Sequence, residues 1–248
     1  MTPEELFKPR VPIAYVHLNL QLAEEHGVPR QQVLQGLGIE PQLLEQPDAL
    51  IGLLDYGRVC LHCMELSSEP AMGYEFGLRN NMTLHGFYGF GVMSQPNIRE
   101  ALSFAIRFAP LRLPGWSLEL EVDGESALVH CREDVPFGAL RQYAQDMLLI
   151  GLFNSFQQFL PNKEAMELCF DCPEPSYYAR YADRLPRCRF QSGSLALRFP
   201  QRLPRAAPAH SQPGDGPPGG PRMREGNDPT GANPKPDRAG ACGNPPAG

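Results

Sequence analysis

The chain has 248 residues, 42% hydrophobic and 20% charged, with a formal net charge of -6, which is apolar material enough for one well-cored domain. Residues 200–248 hold 12 of the 27 prolines, 9 of the 24 glycines and no aromatic residue, so this end cannot build a core of its own. In residues 1–199, 16 basic side chains face 24 acidic ones, a net of -8, with Lys8 and Lys163 the only lysines; that balance argues against a nucleic-acid-binding body.

In chain order, residues 1–12 are polar with Pro3, Pro9 and Pro12 and read as a leader. Ile13, Val16, Leu20 and Ala23 share a helical face that Gly27 ends, and a second short helix carries Val33, Leu34 and Leu37 up to Gly38. A helix-turn-helix reading of this pair is disfavoured, because the second helix lacks the Arg, Gln, Ser and Asn density that groove reading needs. Pro41–Leu44 reads as a turn, and Leu53–Leu66 as a helix with Leu54, Val59, Leu61 and Met64 on its apolar side. Past Trp116 the period changes from 3.6 to 2: Leu118, Leu120 and Val122, an Asp123-Gly124 turn, then Ala127, Val129 and Cys131 predict a hairpin. A long helix from about Ala139 to Leu160, roughly 33 Å at 1.5 Å per residue, is expected to be the central packing element. Met166–Asp171 reads as a strand, Pro175–Leu185 as a short helix presenting Tyr177, Tyr178 and Tyr181, and Arg187–Phe190 with Ser194–Phe199 as a final strand pair. The class expected is α+β: a helical N-terminal half, then a small antiparallel or mixed sheet packed on the long helix.

Residues 83–116 are the most informative stretch. A glycine-punctuated apolar turn, Gly86-Phe87-Tyr88-Gly89-Phe90-Gly91, precedes a helix started by Asn97 with Glu100 in a capping-box arrangement. Ile98, Leu102, Ala105 and Ala109 give it one apolar face. With Gly86, Gly89, Ser94, Glu100-Ala101-Leu102, Arg107 and Pro110-Leu111, this block resembles the signature of the N-terminal, "arabinose-binding" effector domain of AraC-type transcription regulators. Met72–Gly77 resembles that family's step before the block. The resemblance covers about residues 13–200. It implies a bacterial sensor domain that binds a small-molecule effector, with no cofactor and no catalysis, and with a homodimer or pairing with an intact copy as possible assemblies. DNA would be reached only through a C-terminal domain that residues 201–248 do not resemble. Where relatives carry a segment similar to PLPTANPATARLA, Ala209–Gly220 read AHSQPGDGPPGG, and a reading-frame change near Pro200 is one origin for the tail that sequencing the coding DNA would test. The chain thus divides into a leader at 1–12, a regulatory domain at 13–200 and a disordered Pro/Gly-rich tail at 201–248. Deleting residues 201–248 is expected to leave the melting temperature almost unchanged; a drop of several degrees would show that the tail packs.

Seven cysteines, an odd number without framework spacing, fit a reducing compartment. With no secretory n-region, and Met147–Phe153 far short of the roughly 20 apolar residues a bilayer requires, a cytoplasmic protein without membrane contact is expected. The pairs Cys60/Cys63 and Cys169/Cys172 invite a zinc or redox alternative, yet 105 residues lie between them, so buried thiols are the stronger reading. No nucleophile elbow, phosphate loop or paired metal motif surrounds His85, His130, Glu133 or Asp134. An apolar pocket with few polar groups is the better expectation, with His85, Phe87, Phe90, Trp116, Arg141, Tyr143 and Phe153 as candidate ligand contacts; core packing competes for each aromatic residue. The three tyrosines fit a partner surface or ordinary packing equally.

Overall fold

The computed structural model describes residues 9–157, 159–160 and 162–201. Most of the leader and, from residue 202 on, the tail with its expected disorder and frame-shifted origin lie outside the described residues.

Pro9–Pro12, assigned above to the leader, form strand β1, which pairs antiparallel with β2 (Leu50–Gly52). Between them run α1 (Ile13–Glu25), α2 (Arg30–Leu34) and α3 (Pro41–Leu44). Then come α4 (Leu53–Ser67), α5 (Met72–Arg79), α6 (Phe87–Met93) and α7 (Ile98–Phe108). The hairpin β3 (Trp116–Asp123) and β4 (Ser126–Glu133) follows, then α8 (Arg141–Phe156), β5 (Glu167–Cys169), β6 (Arg187–Arg189) and β7 (Ala196–Pro200). The class is α+β, and the five-stranded sheet is mixed: its order is β3-β4-β7-β5-β6, with only β5 and β6 parallel.

The hairpin forms where alternation demanded it, but Asp123 pairs with Ser126, so the turn residues are Gly124 and Glu125, one position later than Asp123-Gly124. The glycine-rich stretch after Gly86 is a helix rather than a turn. Gly86 starts it at φ +56°, a left-handed conformation suited to glycine, and a Cβ on Gly89 would overlap the Met82 carbonyl oxygen. Two family-signature glycines therefore serve one close contact. At the start of α7, Asn97 Oδ1 accepts from Glu100 N at 3.0 Å, while its amide donates to the Glu100 carboxylate at 3.1 Å. Ile98, Ala101, Leu102 and Ala105 are its buried face.

The central helix is shorter than its apolar pattern. A 3-10 turn covers Gly138–Leu140, α8 stops at Phe156, and 16 residues give a length of roughly 24 Å. Phe159 and Leu160 are buried, but through a turn on the Phe156 carbonyl, and Pro161 disfavours helical geometry at Leu160. The helix is buried nearly all round. Leu148, Leu149, Ile150, Phe153 and Phe156 join the core beneath the sheet, whereas Tyr143 and Met147 join a second core with α1 and α4. On its flank α5 approaches so closely that a Cβ on Gly77 would stand 2.7 Å from Ile150 Cβ.

Instead of one helix over Pro175–Leu185 there are two 3-10 turns, Tyr178–Arg180 and Ala182–Arg184. Tyr177 and Tyr181 are buried edge-on against Tyr74, at 5.2 and 5.4 Å between centroids, and Tyr178 packs on Phe190. All three tyrosines are packing residues here. Among the described residues no helix is long and apolar enough to cross a membrane.

Candidate functional site

A cavity of about 360 Å³ opens between the N-terminal helical layer and the segments flanking the hairpin. Leu53, Gly57 and Leu61 of α4, Leu113 and Phe137 of the loops, Trp116 at the start of β3, and Ala144 and Met147 of α8 form much of its wall. Trp116 is stacked on Phe137, with centroids 4.9 Å apart and planes at 22°.

The tyrosine hydroxyls in the wall are already engaged. Tyr143 donates to Asn19 Oδ1 at 2.7 Å, and Asn19 Nδ2 donates to the Tyr56 hydroxyl at 3.1 Å, which itself reaches Met147 Sδ at 3.4 Å. The Tyr15 hydroxyl and His85 Nδ1 are hydrogen-bonded at 2.5 Å. The imidazole is kept neutral, its pKa lowered to about 4 by burial and secondarily by the Arg112 charge. Burial also raises the Tyr15, Tyr56 and Tyr143 hydroxyls and pushes the Cys60 thiol up to about 12, so none is an anion or nucleophile near neutral pH. The two charged groups in the wall are Arg58 and Arg112.

The seven candidate contacts do not share this place. Trp116 and Tyr143 line the cavity. His85 borders an adjoining void of about 30 Å³ and is hydrogen-bonded to the cavity-wall residue Tyr15. Phe87 and Phe90 are exposed, at 82% and 58%, with Phe87 in a separate surface groove. Arg141 is tied to Glu133 at 2.8 Å and Asp171 at 2.7 Å in another groove, and Phe153 is fully buried in the sheet core. The residues overlooked were Tyr15, Tyr56, Arg58, Arg112 and Met147. An arginine between apolar neighbours, as in Pro110-Leu111-Arg112-Leu113-Pro114, is the one local signal that marked any of them.

The cysteine pairs do not form a shared site. Cys60 and Cys63 lie in the α1/α4 core, while Cys169 and Cys172 belong to two other clusters, and all four are buried and free. Among the described residues the grouping of metal-type ligands is His26, Glu69 and Glu75, and it is already occupied by protein partners. Arg180 clasps Glu69 at 2.5 and 2.9 Å and holds its carboxyl below the usual carboxylate range, and Glu75 receives the Tyr181 hydroxyl and bonds His26, each at 2.9 Å. This network ties the ends of α1 and α5 to the tyrosine turns.

Residues 27–206 match the model of the arabinose-binding domain of AraC transcription regulators, N-terminal. The chain belongs to this family. The ornithine utilization regulator of Pseudomonas aeruginosa is 31% identical over 175 residues, 70% of this chain and 51% of that protein. An uncharacterized HTH-type transcriptional regulator of Mycobacterium tuberculosis, and one of Mycobacterium bovis, are each 36% identical over 103 residues, 41% of this chain and 30% of theirs. The chain spans about half the length of the first of these relatives and less of the others. The crystal structure of the transcriptional regulator CdpR from P. aeruginosa superposes with a TM-score of 0.51 at 16% identity, over 77% of this chain and 57% of that one, a likeness of fold.

Proposed function

We propose that this chain is the effector-sensing part of an AraC-type transcription regulator and that the 360 Å³ cavity is its effector site. The observation that carries this reading is the cavity itself: an apolar, concave space of ligand size whose wall includes Leu140, Tyr143, Ala144 and Met147 at one end of α8. Because α8 also carries the sheet core, an effector held against it would favour one arrangement of helices over sheet, by no more than its difference in affinity for the two. DNA reading, in this view, belongs to the part of the HTH-type relatives that the match does not cover. A catalytic role has no support in the cavity, whose hydroxyls are engaged and whose thiol is protonated.

A thermal-shift screen tests the assignment. A compound at a hundred times its Kd stabilises by about 2.7 kcal/mol, roughly 5–10 °C for a domain of this size. Ala144→Leu, which fills part of the cavity, is expected to abolish the shifts. Compounds that stabilise wild type and Ala144→Leu equally would place the effector elsewhere.

A further inference from the structure

The polar groups of the cavity say what it does not bind. A polyol needs several donors and acceptors turned toward it, yet Tyr15, Tyr56 and Tyr143 are committed to His85 and Asn19. Among the described residues no aspartate or glutamate stands in the wall to hold an ammonium group, which makes a basic amino acid a poor fit. What remain are two cations in an otherwise apolar lining. Arg58 is exposed and faces Asp55 at 3.4 Å. Arg112 is half-buried and, among the described residues, has no carboxylate within salt-bridge distance.

Arg112 is held at its backbone, and its side chain passes Gly86. Its backbone N–H donates to the Ala109 carbonyl at 2.9 Å, and its guanidinium lies against Gly86, where a Cβ would come within 3.4 Å of Nη2. It also lines both the cavity and the outer groove of Phe87, Tyr88 and Phe108, so it stands where the two meet. A half-buried guanidinium beside apolar walls is unfavourable unless paired, and its planar fork matches a carboxylate with two parallel hydrogen bonds.

Resting on the effector-site reading above, we infer that the ligand is an amphipathic monocarboxylate: an apolar, preferably aromatic body against Trp116 and Phe137, with its carboxylate on Arg112. The single tryptophan of the chain is itself in the wall, so its fluorescence reports occupancy directly. The experiment titrates the full chain with 3-phenylpropionate, 5-phenylpentanoate and cyclohexylacetate, each beside its primary amide, which keeps the shape and removes the charge. At least one acid is expected to change Trp116 emission saturably and to bind at least tenfold more tightly than its amide. Arg112→Gln should erase that preference, bringing acid affinity down to that of the amide, and Arg112→Lys should keep part of it. Should Gln at this position not fold, a full acid preference in Arg112→Lys rejects the guanidinium fork and a partial one supports it. Acid and amide binding alike, with Arg112→Gln indifferent, would overturn the carboxylate and leave the cavity as effector site; no saturable response to any acid or amide would overturn both.

Discussion

Leu148→Asp is expected to yield no soluble, cooperatively folded protein. Leu148 is 3% exposed in the core between α8 and the sheet, alongside Phe153, Phe156 and Leu197. Truncating such a leucine alone costs about 2–5 kcal/mol, and an unpaired carboxylate there adds a desolvation cost of several more. The sum matches the whole stability of a typical domain, about 5–15 kcal/mol. Leu148→Met, which conserves volume, should cost less than about 1.5 kcal/mol and serves as the control. Expression and circular dichroism decide it: a normal yield with a cooperative melt for the aspartate variant would refute the central placement of α8.

Asp146→Asn is expected to change how stability depends on pH. The Asp146 carboxyl is fully buried on α8, receives Tyr177 Oη at 2.6 Å and Gln142 Nε2 at 2.9 Å, and has its pKa pushed up to about 7, chiefly by burial. Between about pH 4 and 7 the folded state keeps this proton while the unfolded state has released it, so the contribution is greatest in acid, falls as pH rises, and is gone above 7. The span of about three pH units corresponds to something on the order of 4 kcal/mol. Asparagine can still accept from Tyr177 and does not titrate. His85 works with the opposite sign over roughly pH 4–6.5, because its folded pKa is the lower one, so the quantity to measure is wild type minus variant. Melting temperatures from pH 4.5 to 8 should show wild type losing roughly 5–10 °C relative to Asp146→Asn. Parallel curves would mean that Asp146 does not carry a shifted proton equilibrium.

The elements that were legible are those whose pattern and burial coincide. The α7 cap at Asn97 and the apolar face from Ile98 to Ala105 have one buried side, so periodicity alone oriented them; the alternation of β3 and β4 foretold their pairing, but Leu120 and Val122 are exposed and Leu128 is buried. The α8 region had no such asymmetry. With both faces buried, its sequence overran the helix end and gave no clue to which turn borders the cavity. Phe153 is ten residues beyond Tyr143, about 15 Å further along the axis, and so it sits in the sheet core and not in the cavity wall. Arg141 is one turn from Ala144 but faces Glu133 and Asp171, partners that only the folded sheet supplies.

From the sequence alone followed the α+β class and the acidic body, since composition and periodicity record which surfaces must leave water, while the family followed separately from the resemblance of residues 83–116 to its signature. Where the cavity lies, that its hydroxyls are already spoken for, and that Arg112 stands at its edge without an acidic partner among the described residues were decided only in three dimensions. The reason is that Asn19, Tyr56, Arg112 and Tyr143 come from four separate segments, and a side chain's commitments depend on neighbours that chain order does not name.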